Sequence, residues 1–177
     1  MSAKQNTERY SERTKLRDPY LSSKAYPEPT ICPTCGLVFH KKRWSRDQQI
    51  LNIVSDVAEK HKCPACRKIE DHYVMGFVSI TGTFFPTIKN EIINIIHNQG
   101  KKEMVRNPLA RIMSLNNKDD TIMVETTNDN LSIAIGKALK RSHGGELNVN
   151  YASNEQFARV SWHRDLEVGS KPAKKFF

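Results

Sequence analysis

The sequence predicts an α+β chain in two parts, a cysteine-bracketed unit followed by a βαββαβ sandwich with one extra antiparallel strand. Three observations predict it. The four cysteines form two Cys-x-x-Cys pairs, "CPTC" and "CPAC", both in the N-terminal part. Beyond residue 72 the apolar residues switch repeatedly between a strand period and a helical period. Glycine, proline and short polar clusters punctuate those runs.

Residues 1–28 read as a disordered basic tail. They mix charges and hydroxyls without a period and end in "AYPEP". Residues 29–72 are the cysteine unit. Between its pairs lies "SRDQQILNIVSDVAEKH", which predicts an inserted helix with Ser45 as cap and Ile50, Ile53, Val54 and Val57 as the apolar stripe. Residues 73–164 are the sandwich. "MGFVSITG" alternates and is rich in β-formers, which predicts a strand. "FPTIKNEIINIIHNQG" predicts a helix with Pro86 near its start, a stripe of Ile88, Ile92, Ile95 and Ile96, and Gly100 as its stop. "LARIMSLNNKDDTIMVETT" predicts two strands joined at "NNKDD".

"NDNLSIAIGKALKRSHGG" predicts the second helix. Asn128 is its N-cap, and Leu131, Ala134, Ile135, Ala138 and Leu139 form its stripe. Lys140, Arg141 and His143 sit at its negative end, before the glycine stop. "ELNVNYASNEQFARVSWHR" closes with a hairpin turning at "ASNE". Two split βαβ units in this order give a ferredoxin-like sandwich, with two helices on one sheet face and the added strand as an edge beside the fourth. Residues 165–177 read as a basic C-terminal tail.

The 177 residues carry a formal net charge of +9 and a pI near 9.5. Such a balance favours partners with dense negative charge, chiefly nucleic acid or anionic lipid. No run of 18 apolar residues is present and the N-terminus lacks an apolar signal-peptide core, so a cytoplasmic protein without a membrane span is expected. Reducing conditions there argue against two structural disulfides.

The pairs Cys32/Cys35 and Cys63/Cys66 are separated by 27 residues. Each holds small or rigid residues: Pro33, Thr34 and Gly36, then Pro64 and Ala65. A knuckle must turn tightly so that two sulfurs face one ion about 2.3 Å away, and Gly36 suits the left-handed position that follows. Two matched pairs predict one structural Zn²⁺ held by four thiolates, with iron as the alternative metal. A thioredoxin-like redox motif needs only one pair, at a helix N-terminus. Four thiolates close the coordination sphere, so a catalytic metal is not expected. His40, His61 and His72 lie near the pairs and are expected at the surface.

Lys41, Lys42, Arg43 and Arg46 flank Trp44 after the first pair. Lys60, Lys62, Arg67 and Lys68 surround the second. These eight basic residues meet five acidic ones across the unit. If the pairs are neighbours, the two clusters can share a phosphate-binding face. Trp44 either stacks on a base or packs on the inserted helix. In the sandwich, alternation assigns Val78, Ile80, Ile122, Val124, Val160 and Trp162 to the helix-covered face. Phe77, Ser79, Thr81, Phe157, Arg159 and His163 fall on the other. An open face with Phe77, Arg159 and His163 is a candidate RNA surface, or one covered by the cysteine unit or a second copy. No Walker loop, nucleophile elbow or dinucleotide glycine pattern occurs, and no enzyme or small-molecule substrate is predicted.

The cysteine pairs followed by "GFVSITGTFFPTIKNEIINII" and "VETTNDNLSIAIGKALKRSHGGELNV" resemble a known family. The chain looks like the small bacterial zinc-knuckle proteins related to the archaeal and eukaryotic nuclear-export adaptor of the large ribosomal subunit. The resemblance covers about residues 30–164, and Cys32, Cys35, Cys63 and Cys66 match its knuckle pattern. The adaptor's long C-terminal portion with its export signals has no counterpart, so export is not implied. What the resemblance implies is association with ribosomal RNA or the large ribosomal subunit. A zinc protein that binds structured RNA is therefore the leading expectation. The alternatives are a protein–protein adaptor with zinc as scaffold and, least supported, an enzyme acting on RNA or nucleotides.

Overall fold

The computed structural model describes residues 18–21, 25–54, 56–83, 85–118, 121–153 and 156–165. Most of both predicted tails, and the tips of the "NNKDD" and "ASNE" turns, lie outside the described residues. The fold is α+β with two mixed sheets.

The first sheet belongs to the cysteine unit. Its strands are β1 (Thr30–Ile31), β2 (Val38–His40), β3 (Arg43–Ser45) and β4 (Glu59–Lys60), in the order β3-β2-β1-β4. β1 runs antiparallel to β2 and parallel to β4. Helix α1 (Gln48–Val54) follows β3, and α2 (Pro64–Glu70) follows β4. The inserted helix is shorter than expected and capped elsewhere. Asp47 Oδ1 accepts from the amides of Gln49 and Ile50, while Ser45 belongs to β3. Of its predicted stripe, Ile50 is half-buried, whereas Ile53 is 80% exposed and Val57, beyond the helix, 75%.

The β2–β3 turn is a two-residue loop at Lys41 and Lys42, both with positive φ, of 49° and 60°. This turn matches the twist of the flanking strands but is usually built from Asn and Gly. The carboxylate of Glu28 accepts from both turn amides at 2.8 Å. Those two donors hold the Glu28 carboxyl below the ordinary carboxylate range. Part of the supposed disordered tail is thus structured. Tyr26 packs edge-on against Phe39 and Trp44, and Tyr20 lies against Tyr73 and donates to Asp71 at 2.7 Å. The aromatic rings within this polar stretch supply the burial that its composition hides.

The second sheet holds β5 (Gly76–Thr81), β6 (Ile112–Lys118), β7 (Thr121–Thr126), β8 (Glu146–Tyr151) and β9 (Ala158–His163). Helices α3 (Phe85–Arg106) and α4 (Asp129–His143) connect them in the expected order. The strand order is β6-β7-β5-β9-β8. The added strand is therefore not the edge. β9 is inserted beside β5, parallel to it, and β8 is displaced outward. The physical reason lies in the two strands. β9 buries Ala158, Val160 and Trp162, whereas β8 alternates half-buried Leu147 and Val149 with Glu146, Asn148 and Asn150. The more apolar strand takes the central place and the polar one tolerates the edge.

All six residues assigned to the helix-covered face are buried there, packed on Ile92 and Ile96 of α3 and Leu131, Ile135 and Leu139 of α4. Asn128 caps α4 by accepting from the Leu131 amide. Helix α3 runs past Gly100 to Arg106, with non-helical geometry at Ile88. Gly100 is not a stop but a point of close approach, where a Cβ would come within 2.8 Å of Ile112 Cδ1.

Candidate metal centre and basic groove

The first cysteine pair sits in the turn between β1 and β2. The amide of Gly36 donates to Cys32 O at 2.9 Å, and Gly36 takes the expected left-handed φ of 70°. The second pair is not a knuckle of the same kind. Cys63 is the N-cap of α2, Pro64 opens the helix, and Cys66 lies in its first turn. The unit is therefore a knuckle, a β-hairpin and a helix rather than a ribbon of two like knuckles. Arg67, within a helix, needs no glycine where Gly36 stands in the first pair.

The four Sγ atoms all lie within 4.8 Å of one another. Sulfurs about 2.3 Å from a central ion stand about 3.8 Å apart in a tetrahedron. Cys35 Sγ and Cys63 Sγ are 3.6 Å apart, too far for a disulfide and right for sharing an ion. Cys32, Cys63 and Cys66 are buried and Cys35 half-buried, in contact with Leu37, Phe39 and Trp44. The Cys63 amide points at Cys32 Sγ, 3.3 Å away. Helix and amide dipoles both favour thiolates here. The donor set, its closure and its burial fit one tetrahedral ion held for structure.

The protons on these thiols are unevenly held. The hydrogen bond from Cys63, with help from Arg111, brings Cys35 down to about 4. Cys63 is pushed up by that same bond and by burial, and burial pushes Cys66 up to about 11. Arg111 was not foreseen from the sequence. Its Nη2 donates to Cys35 Sγ at 3.1 Å and its Nη1 to Cys66 Sγ at 3.5 Å. None of the nearby histidines joins the cluster. His40 faces Glu28, His61 faces Glu59 and His72 faces Glu125.

A groove of about 1080 Å³ lies between the cysteine unit and the C-terminal end of α3. Lys42, Arg43 and Arg46 line it from the hairpin side, and Lys101 and Arg106 from α3; no Asp or Glu is among its lining residues. Its floor is apolar, with Phe39, Trp44, Met104, Pro108 and Leu109. The sequence singled out the hairpin cations but not Lys101 or Arg106.

The other predicted contacts fare differently. Lys41 is exposed at the hairpin tip. Trp44 is 7% exposed and packed against Tyr26 and Phe39, so it is a core residue and not a stacking platform. Lys68 is 4% exposed. Its Nζ pairs with Asp18 and reaches Thr127 O at 3.1 Å and Met75 Sδ at 2.9 Å, which removes it from any RNA surface. Lys62 pairs with Glu70, and Arg67 lies over the Tyr20 ring. Neither lines the groove, so the two basic clusters do not merge there.

On the open sheet face, Phe77 is half-buried between Glu125 and Arg159 in register. Arg159 lies over Phe157, and His163 contacts Thr81 and Asp165. Ser79, Ser114, Ser161, Asn116, Asn148 and Asn150 lie on the same face, with Met123 between Ser79 and Asn116 as its further apolar side chain. The face is more polar than a stacking platform.

No helix among the described residues is long and apolar enough to cross a membrane. Compared with known proteins, the chain matches no family model, no curated protein and no solved structure.

Proposed function

We propose that this chain is a non-enzymatic zinc protein that binds structured RNA, with ribosomal RNA or the large ribosomal subunit as its partner, and that the basic groove receives the phosphate backbone. The groove carries this reading. Five cations converge on one cleft with no carboxylate among its lining residues, in a chain of net charge +9. Phosphate attraction of this kind is sequence-tolerant and salt-dependent, and the apolar floor accepts sugar and base surfaces that water leaves poorly solvated. Zinc holds the hairpin that presents Lys42, Arg43 and Arg46. The family resemblance points to the same partner class.

The test is binding to a ribosomal RNA hairpin fragment across a salt series. The slope of log K against log salt for about five phosphate contacts is about −4. Arg43→Glu combined with Arg106→Glu should flatten the slope and weaken binding at least tenfold, with zinc retained. An RNA affinity untouched by that pair, or absent at low salt, sinks the reading.

A protein-adaptor role has one observation in its favour: Ile53 and Val57 both stand exposed near α1. A partner retained after nuclease treatment and lost in Ile53→Ser would support it.

A further inference from the structure

We infer that Arg111 is a positioning residue of the metal centre, through which zinc binding in the cysteine unit docks that unit on the five-stranded one and sets the groove between them. The metal ligands all come from residues 32–66, but two of the four sulfurs are touched by a residue from the other unit. Four thiolates around a divalent ion leave a net charge of −2. Burying that charge is costly unless a cation and hydrogen-bond donors face it. A guanidinium supplies both. Its planar fork reaches two sulfurs at once, which an ammonium on a flexible stem does not reproduce.

Arg111 is itself held in place. Its Nε donates to Pro108 O at 3.1 Å, which ties the side chain to the turn that floors the groove. Its amide donates to Thr127 Oγ1 at 2.8 Å, and that hydroxyl donates to Leu109 O at 2.7 Å. Thr127 O in turn accepts from Lys68, which lies on the same short helix that carries Cys63 and Cys66. Helix α2 is thus fastened at both ends to one junction: at its first turn through the thiolates and Arg111, and further along through Lys68 and Thr127. Leu109, from the same turn, packs against the core of the cysteine unit. Without the ion, nothing gathers the four sulfurs into one cluster of net charge −2, and the guanidinium loses the charge that it faces. The turn at Pro108 and Leu109 is then released, and with it one wall of the groove. That the groove serves RNA rests on the reading above; the docking does not.

The test uses the full chain with zinc bound. Arg111→Met removes the charge, both N–H···S contacts and the Nε bond to Pro108 O while keeping an unbranched side chain, so chelation of the wild type is what separates the metal's effect on the turn from the loss of that bond. Arg111→Lys keeps the charge and loses the fork. Chelator competition reads zinc affinity, and hydrogen exchange reads the Leu109 and Ala110 amides. Chelation of the wild type should speed exchange at both amides. Arg111→Met should speed it with zinc still bound and weaken zinc by about 10–100-fold. Arg111→Lys should fall between. Wild-type zinc affinity in Arg111→Met overturns the inference, because the turn contact is then independent of the metal. Weaker zinc with unchanged exchange overturns it as well, because the residue then tunes the ion without docking the units. Should Arg111→Met fail to fold, the lysine variant is judged by the same two readouts. Neither readout involves RNA, so failure of the RNA reading shows separately, as absent binding by a protein whose zinc and turn behave as expected.

Discussion

The five-stranded unit fills its interior with Ile92, Ile96, Leu131, Leu139 and Trp162, all fully buried, whereas the cysteine unit gathers Leu37, Phe39 and Trp44 around Cys32, Cys63 and Cys66. The first interior is large, continuous and made of side chains that need nothing else. The second is small, and three of its members are metal donors. Its strands are two or three residues long and its two helices seven residues each. Elements so short cannot hold themselves together by hydrogen bonding and burial alone. One unit is filled by apolar surface, and the other has at its centre four cysteines positioned to hold one ion. The chain joins them where a cation from the self-sufficient unit meets the thiolates of the dependent one.

The sharpest way to break this comparison is to remove the ion. Binding of structural zinc is worth about 10–16 kcal/mol in small fingers, and that energy is folding energy. Cys35→Ser, or a strong chelator, should melt residues 29–72 and leave the five-stranded unit folded. Metal analysis and residue-resolved hydrogen exchange check it: protection should vanish in β1, β2 and α2 and persist in β5, β9 and α4. A zinc-free Cys35→Ser protein with full protection in both units would show that the cysteine unit has a sufficient core after all.

A smaller effect is expected from the other side. Trp162→Ala opens a cavity under α4 and removes the indole donor to Gly144 O, a 2.8 Å bond. The cost is about 3–5 kcal/mol. Thermal unfolding followed by tryptophan-independent circular dichroism should show the five-stranded unit melting earlier, while the zinc content of the folded protein stays at one ion per chain. Loss of zinc in this variant would mean that the cysteine unit borrows its stability from its neighbour.

The difference between the units also explains how much could be read in advance. The ligand set was legible because a four-thiolate site requires two close pairs, and Cys32, Cys35, Cys63 and Cys66 provide them whatever the backbone does between. The covered sheet face was legible because alternation fixes which face a side chain takes, as it does for Val78, Ile80, Val124 and Trp162. Alternation says nothing about which strand lies alongside, so the insertion of β9 between β5 and β8 was not. Helix α3 was cut short at Gly100 although Ile96, Gly100 and Met104 continue the i, i+4 spacing, a signal that favoured extension. Arg111 left no local trace. Its partners Cys35 and Cys66 are 76 and 45 residues away, and only the folded chain brings them together. Lys68 failed as a surface residue, and Trp44 took the packed one of its two alternatives, for the same reason: they bury against Asp18 and Tyr26, in a stretch whose polarity conceals it.

The smallest expected effect concerns the hairpin that carries three of the groove's cations. Left-handed geometry at two lysines costs about 1–2 kcal/mol per residue relative to ordinary backbone, and the turn persists because Glu28 accepts from both of its amides. The two amide donors lower the Glu28 carboxyl in the folded chain. A depressed carboxyl contributes its stability above its unfolded value and loses it as pH falls through the folded one. At neutral pH the contribution is complete. In acid, however, protons also displace metal from the thiolates, so a pH titration would mix two events. Glu28→Gln at pH 7 isolates the first. The amide side chain keeps an acceptor oxygen but loses the charge that strengthens both bonds. Exchange of the Lys41 and Lys42 amides should rise severalfold, while zinc affinity and the protection of α4 stay as in the wild type. Unchanged exchange at both lysines would show that the strand pairing of β2 with β3 alone fixes the turn. A loss of zinc on this substitution would show that the turn supports the metal site as well as depending on it.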